Sequence, residues 1–173
     1  MRMMKLLPLT LLLAPAVLLA QEADESLVRW DQIVGVITAP NVNNPAGGIA
    51  SGAGPWSVHS GQAHVNLATG YASFEVRGLV LNGGNASGTP GPVGTVTGTL
   101  VCNPGTSTQV VLDSAEVRLS ARGDAHFSGE IAGIPGVCAT PLFLVRIGPS
   151  FPAAGAVGRW LATGAVRSSG SRD

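Results

Sequence analysis

Three histidines, His59, His64 and His126, and one carboxylate, Glu75, are the side chains of this sequence best suited to chemistry. Imidazole and carboxylate together bind zinc and other divalent ions. An odd separation of five residues sends His59 and His64 to opposite faces of an unbroken strand, although Ser60-Gly61 is a place for a break. The candidate metal set is therefore His64, Glu75 and His126, with Arg118 as the expected cross-strand neighbour of His126 and its charge opposed to a cation there. No Gly-x-Ser-x-Gly elbow and no His-Glu-x-x-His pair occurs. Lys5 is the one lysine, so past it there is no phosphate-loop lysine, Schiff base or lysine general base. Catalytic residues stay unassigned and no cofactor is expected. Arg122-Gly123-Asp124 spells an integrin-type tripeptide at an expected hairpin tip, where a Gly-containing polar turn is also what any hairpin needs. Asn85-Ala86-Ser87 fits the glycosylation acceptor pattern.

Cys102 and Cys138 are the only cysteines, and no Cys-x-x-Cys motif is present. In an oxidising compartment two cysteines pair most simply with each other. Closing that loop is worth about 4 kcal/mol in the chain-entropy model.

Residues 1–20 read as a secretory signal peptide: Arg2 and Lys5 lead, a short apolar run follows, and Ala14-Pro15-Ala16-Val17-Leu18-Leu19-Ala20 closes it. The run is too short and too Pro-interrupted for a membrane span. Cleavage is expected after Ala20, with Ala16 as the alternative, and Gln21 offers no thiol for lipid anchoring. The expected product is soluble and extracytoplasmic, secreted or periplasmic. Arg2 and Lys5 leave with the leader, so eight Arg and ten acids remain, a net charge of −2. Such a chain lacks the basic surface that nucleic acid requires. The exclusive use of Arg matches codon bias in a GC-rich bacterium.

The elements that must position these residues read as strands. All 24 Gly and ten of the 12 Pro fall after residue 20, spread between short runs rich in Val, Thr, Leu and Phe. This predicts an all-β fold, an antiparallel β-sandwich of jelly-roll or immunoglobulin-like type with about nine or ten short strands and one disulfide. Residues 21–31 are an N-terminal flank, 32–167 the single sandwich domain and 168–173 a disordered tail. Leu27, Trp30, Ile33 and Ile37 also suit one helix face, but β-rich Ile33 to Ile37 favours a strand over about 32–38. The uncharged loop from Ala39 to Pro55 is long enough to be either functional or mobile.

The strongest local signal is a hairpin over 62–80. With Thr69-Gly70 as its turn, Val65 faces Phe74, Ala63 faces Val76 and His64 faces Glu75, so apolar and polar residues sort to opposite sides. A second hairpin over 115–131, turning at Ala121-Arg122-Gly123, sets Val117 against Phe127 and Arg118 against His126. Leu142-Phe143-Leu144-Val145 is apolar on both faces, as in a central strand covered on its second side; left bare, it would mark an assembly interface. The pattern Gly-x-Ala-x-Val-x-Leu then Phe-x-Val-x-Gly-Leu, here Gly61 to Leu67 and Phe74 to Leu79, resembles repeats of secreted chordin-type modules. Their His-containing segment after the second strand is missing, and no function is carried across.

These readings converge on an exported, non-catalytic module, structural or interaction-mediating, whose partner is another extracytoplasmic protein or a neutral ligand. The alternative is a secreted metal-binding protein or enzyme built on His64, Glu75 and His126.

Overall fold

The computed structural model describes residues 26–39, 41–150 and 155–169. The expected leader, its cleavage site and residues 170–173 lie outside them. The described chain is all β, with strands β1 (Leu27–Gly35), β2 (Trp56–Ser57), β3 (Ser60–Asn66), β4 (Tyr71–Arg77), β5 (Val80–Leu81), β6 (Thr95–Cys102), β7 (Val110–Asp113), β8 (Val117–Arg118), β9 (Ala125–Glu130), β10 (Leu142–Ile147) and β11 (Trp160–Ser169). Nine of them form one antiparallel sheet in the order β7-β6-β10-β11-β1-β3-β4-β9, with β8 also on β6, while β2 and β5 pair separately. The sheet curls into a half-barrel. This pairing does not draw the two facing sheets expected of a sandwich.

β1 starts at Leu27, five residues before the expected strand, and pairs with both β11 and β3. A register shift against β11 between Trp30 and Gln32 turns Asp31 and Gln32 outward in succession, leaving Val28, Trp30 and Ile33 buried. That extra outward residue stretches the apolar spacing from two to three, which is why the segment also reads as a helix face. β11 reaches Ser169, past the expected domain end at 167, because Val28 and Arg29 supply ladder partners for Ser169 and Ser168.

The first hairpin forms, with its register moved by two. Gln62 pairs with Glu75, Ala63 with Phe74, His64 with Ser73 and Val65 with Ala72. The reason lies in Asn66, whose Oδ1 accepts from the Ala68 and Thr69 amides, while its carbonyl accepts from Gly70. This side-chain turn takes Leu67 to Gly70 out of the ladder. A two-residue slip keeps every side chain on its face, so the inside–outside sorting survives.

The second hairpin opens. Its turn exists, with Ser120 N–H donating to Asp124 O and Gly123 N–H to Ser120 O. However, β8 ladders with β6, and β9 with β4. The turn thus links the two ends of the curled sheet.

Inside the curl, ring centroids run from Trp30 to Phe143 (5.5 Å), Phe143 to Phe74 (5.7 Å) and Phe74 to Phe127 (5.9 Å). Gly98 on β6 makes room for them: a Cβ there would sit 2.8 Å from Phe74 and 3.0 Å from Phe143. On the outer side, the long loop is a cover. Gly47 rests on Val101 and Leu142, Gln109 Nε2 donates to Gly47 O, and Trp160 Nε1 donates to Asn44 O. Leu144 and Val145 are fully buried, as expected of a central strand covered on both sides.

Cys102 and Cys138 are bonded, with Cα atoms 4.8 Å apart. Asn103 braces the same junction, accepting from the Ala139 amide and donating to the Val137 and Thr108 carbonyls. Among the described residues, no helix is long and apolar enough to cross a membrane.

Candidate functional site: a polar trough on the outward sheet face

The outward positions of β1, β3, β4 and β9 are polar because alternation commits their apolar partners to the curl. Across the ladders, Gln62, Glu75 and His126 form one row, and His64, Ser73 and Ser128 the next. Arg29 stands opposite His64 on β1. The predicted metal set is thus only partly assembled. Glu75 and His126 are direct cross-strand partners, while the shifted register gives His64 the neighbour Ser73 in place of Glu75. Among the described residues, no three His, Cys, Asp or Glu groups are placed to hold a metal ion. His126 is not opposite Arg118 in a ladder, since β8 pairs elsewhere, although Arg118 does line the same hollow.

Three adjoining hollows follow this face. The largest, about 570 Å³, lies where Asp31 and Gln32 bulge toward His59, Gln62, Glu75 and Arg77. One of about 430 Å³ continues past Glu75 and Arg77 to Arg118, Asp124 and His126. One of about 170 Å³ continues past Asp31 and Gln62 to Arg29 and His64. All three histidines of the chain therefore border one trough. Asp31, Gln32, Gln62 and Arg77 were not singled out from sequence; the signal for two of them is the polar pair Asp31-Gln32 interrupting an apolar alternation.

Charges along the trough are locally compensated. Arg77 Nε lies 2.6 Å from Glu75 Oε1 with both groups partly solvated, an ion pair of the exposed class worth at most about 1 kcal/mol. Asp31 accepts from Ser168 Oγ at 2.8 Å. Partial burial pushes the His64 pKa below its ordinary value, and Arg29 adds to the effect. Both effects favour the neutral imidazole, the form with one donor and one acceptor nitrogen.

Arg122-Gly123-Asp124 is built into the corner. Gly123 is buried with φ of +82°, and its alpha carbon packs against the Leu79 backbone, where a Cβ would collide. Leu79 N–H donates to Gly123 O at 2.8 Å, and Gly78 N–H to Asp124 Oδ1 at 3.0 Å. The carboxylate that integrin-type recognition needs is engaged in joining the corner to the end of β4. Asn85 is exposed between β5 and β6.

Of the aromatic rings of β1 and β4, Trp30 is in the core at 2% exposure, and Tyr71 is on the surface at 49%. Tyr71 lies 6.3 Å from the His64 ring, and its hydroxyl bonds Ser128 Oγ at 2.6 Å. No protein-family model, curated protein or solved structure matches the chain.

Proposed function

We propose that the chain is an exported, non-catalytic extracytoplasmic module, structural or interaction-mediating, and of bacterial origin. The observation that carries this reading is what the carboxylates do. Asp31 bonds β11 through Ser168, Asp113 accepts from Thr99 and Arg146, Glu116 accepts from Ser150, and Asp124 ties its turn to Gly78. Glu75 is neutralised by Arg77. Four carboxylates, Asp31, Asp113, Glu116 and Asp124, are thus spent on joining segments distant in the chain, which is what a rigid display frame asks of them. The Cys102–Cys138 bond supports an oxidising compartment, and the leader-like start supports export.

The test is expression of the full chain in a bacterial host, followed by intact mass and thermal unfolding of the exported product. The expected species lacks residues 1–20, carries no free thiol, and melts at the same temperature with EDTA, zinc or neither. Zinc-dependent stabilisation would favour the metal-binding alternative, for which the adjacency of Glu75 and His126 is the supporting contact. A cytoplasmic, uncleaved product would overturn the export reading.

A further inference from the structure

We infer that the trough on the outward face of β1, β3, β4 and β9 binds a neutral, hydroxyl-rich polysaccharide chain. This rests on the interaction-module reading and names its ligand class. Continuity argues for a chain-like ligand: the central hollow shares Asp31 and Gln62 with one neighbour, and Glu75 and Arg77 with the other. A compact ligand fits one hollow, whereas an extended one engages all three.

Charge argues for neutrality. Arg29, Arg77 and Arg118 are balanced along the trough by Asp31, Glu75 and Asp124. A polyanion or polycation would meet as much repulsion as attraction. In the central hollow the groups that remain are the amides of Gln32 and Gln62, the Ser60 hydroxyl and the His59 imidazole. These offer donors and acceptors side by side, which suits sugar hydroxyls because each of them donates and accepts at once.

The backbone argues against a peptide. Peptides add to a free sheet edge or anchor side chains in apolar pockets. Here the centre of the trough lies on the face of β3 and β4, each paired on both sides, and Ala63, Phe74 and Val76 turn inward. Tyr71 supplies an independent pointer. Its exposed ring beside His64, steadied by Ser128, is a flat apolar surface at the trough's end against which the C–H face of a sugar ring can stack.

Native affinity electrophoresis of the exported chain tests this, at neutral pH in gels containing hydroxyethylcellulose, dextran or laminarin, with dextran sulfate as the charged counterpart. The expected result is retardation by at least one neutral glucan and none by dextran sulfate. Gln62→Ala and Tyr71→Ala should each weaken the retardation at least about tenfold, while Val111→Ser, on β7 at the other end of the sheet, leaves it intact. Gln62 is exposed, so its variant reports on the trough even if Tyr71→Ala fails to fold. Retardation by dextran sulfate alone, no retardation by any glucan, or undiminished retardation of Gln62→Ala would overturn the inference. Those outcomes leave the module reading standing, which a zinc-stabilised melt would overturn separately.

Discussion

Single residues of this chain do their work as ties, and their removal has calculable costs. Asp124 accepts from the Gly78 amide, a charge-assisted bond, so Asp124→Ala should cost about 1–3 kcal/mol in urea unfolding. Gly123→Ala should cost more, because a Cβ there meets the Leu79 backbone and the left-handed φ is strained for alanine. Two groups give the acid limb of stability its sign. The His64 pKa is lowered on folding, first by burial and then by Arg29, so its contribution is complete above about pH 6.5 and is lost as pH falls from there through the folded value. Glu116 is also lowered, chiefly by its hydrogen bond from Ser150, so its contribution is present above 4.5 and disappears as pH falls through its folded pKa. Both act in one direction, and acid should destabilise in two stages. His64→Gln should remove the upper stage and Glu116→Gln the lower one, as read from urea midpoints across pH.

At the scale of elements, the alternation of faces was legible and the register was not. Ala63, Val65, Phe74 and Val76 point inward in either register, since a slip of two residues preserves the face. What selects between them is the Asn66 carboxamide, whose Oδ1 accepts from the Ala68 and Thr69 amides nearby and from Ser26 Oγ 40 positions away. Asn66→Ala should therefore cost about 1–3 kcal/mol and raise amide exchange across Leu67 to Gly70. The separation of β8 from β9 was hidden for a different reason: their turn is hairpin-like, but Leu79 occupies the space beside Gly123, a contact 44 positions apart in the chain. Arg146 shows the same long reach. Largely buried, with its pKa drawn down by burial against the pull of Asp113, it bonds Asp113 and the Val157 and Gly158 carbonyls. Removing the counter-charge with Asp113→Ala should cost up to about 3 kcal/mol, more than removal of the exposed Glu75–Arg77 pair.

For the whole molecule, the curled sheet explains why the trough escaped the sequence. The trough exists because β1 lies beside β3 on one edge and β11 on the other, and the latter pairing joins residues 127 to 141 positions apart. The disulfide and the aromatic row hold that curl, and replacing both cysteines by serine should lower stability by about 3–4 kcal/mol. The proposal of a recognition module without metal chemistry is tested by backbone and histidine side-chain NMR of the exported chain, titrated with laminarin, dextran and hydroxyethylcellulose and then with zinc. The expected result is glucan-induced shifts gathered at Arg29, Asp31, Gln62, Glu75 and Arg77, with His64 and His126 signals insensitive to stoichiometric zinc. Stoichiometric zinc shifts at His64 and His126, with no response along the trough to any glucan, would contradict it.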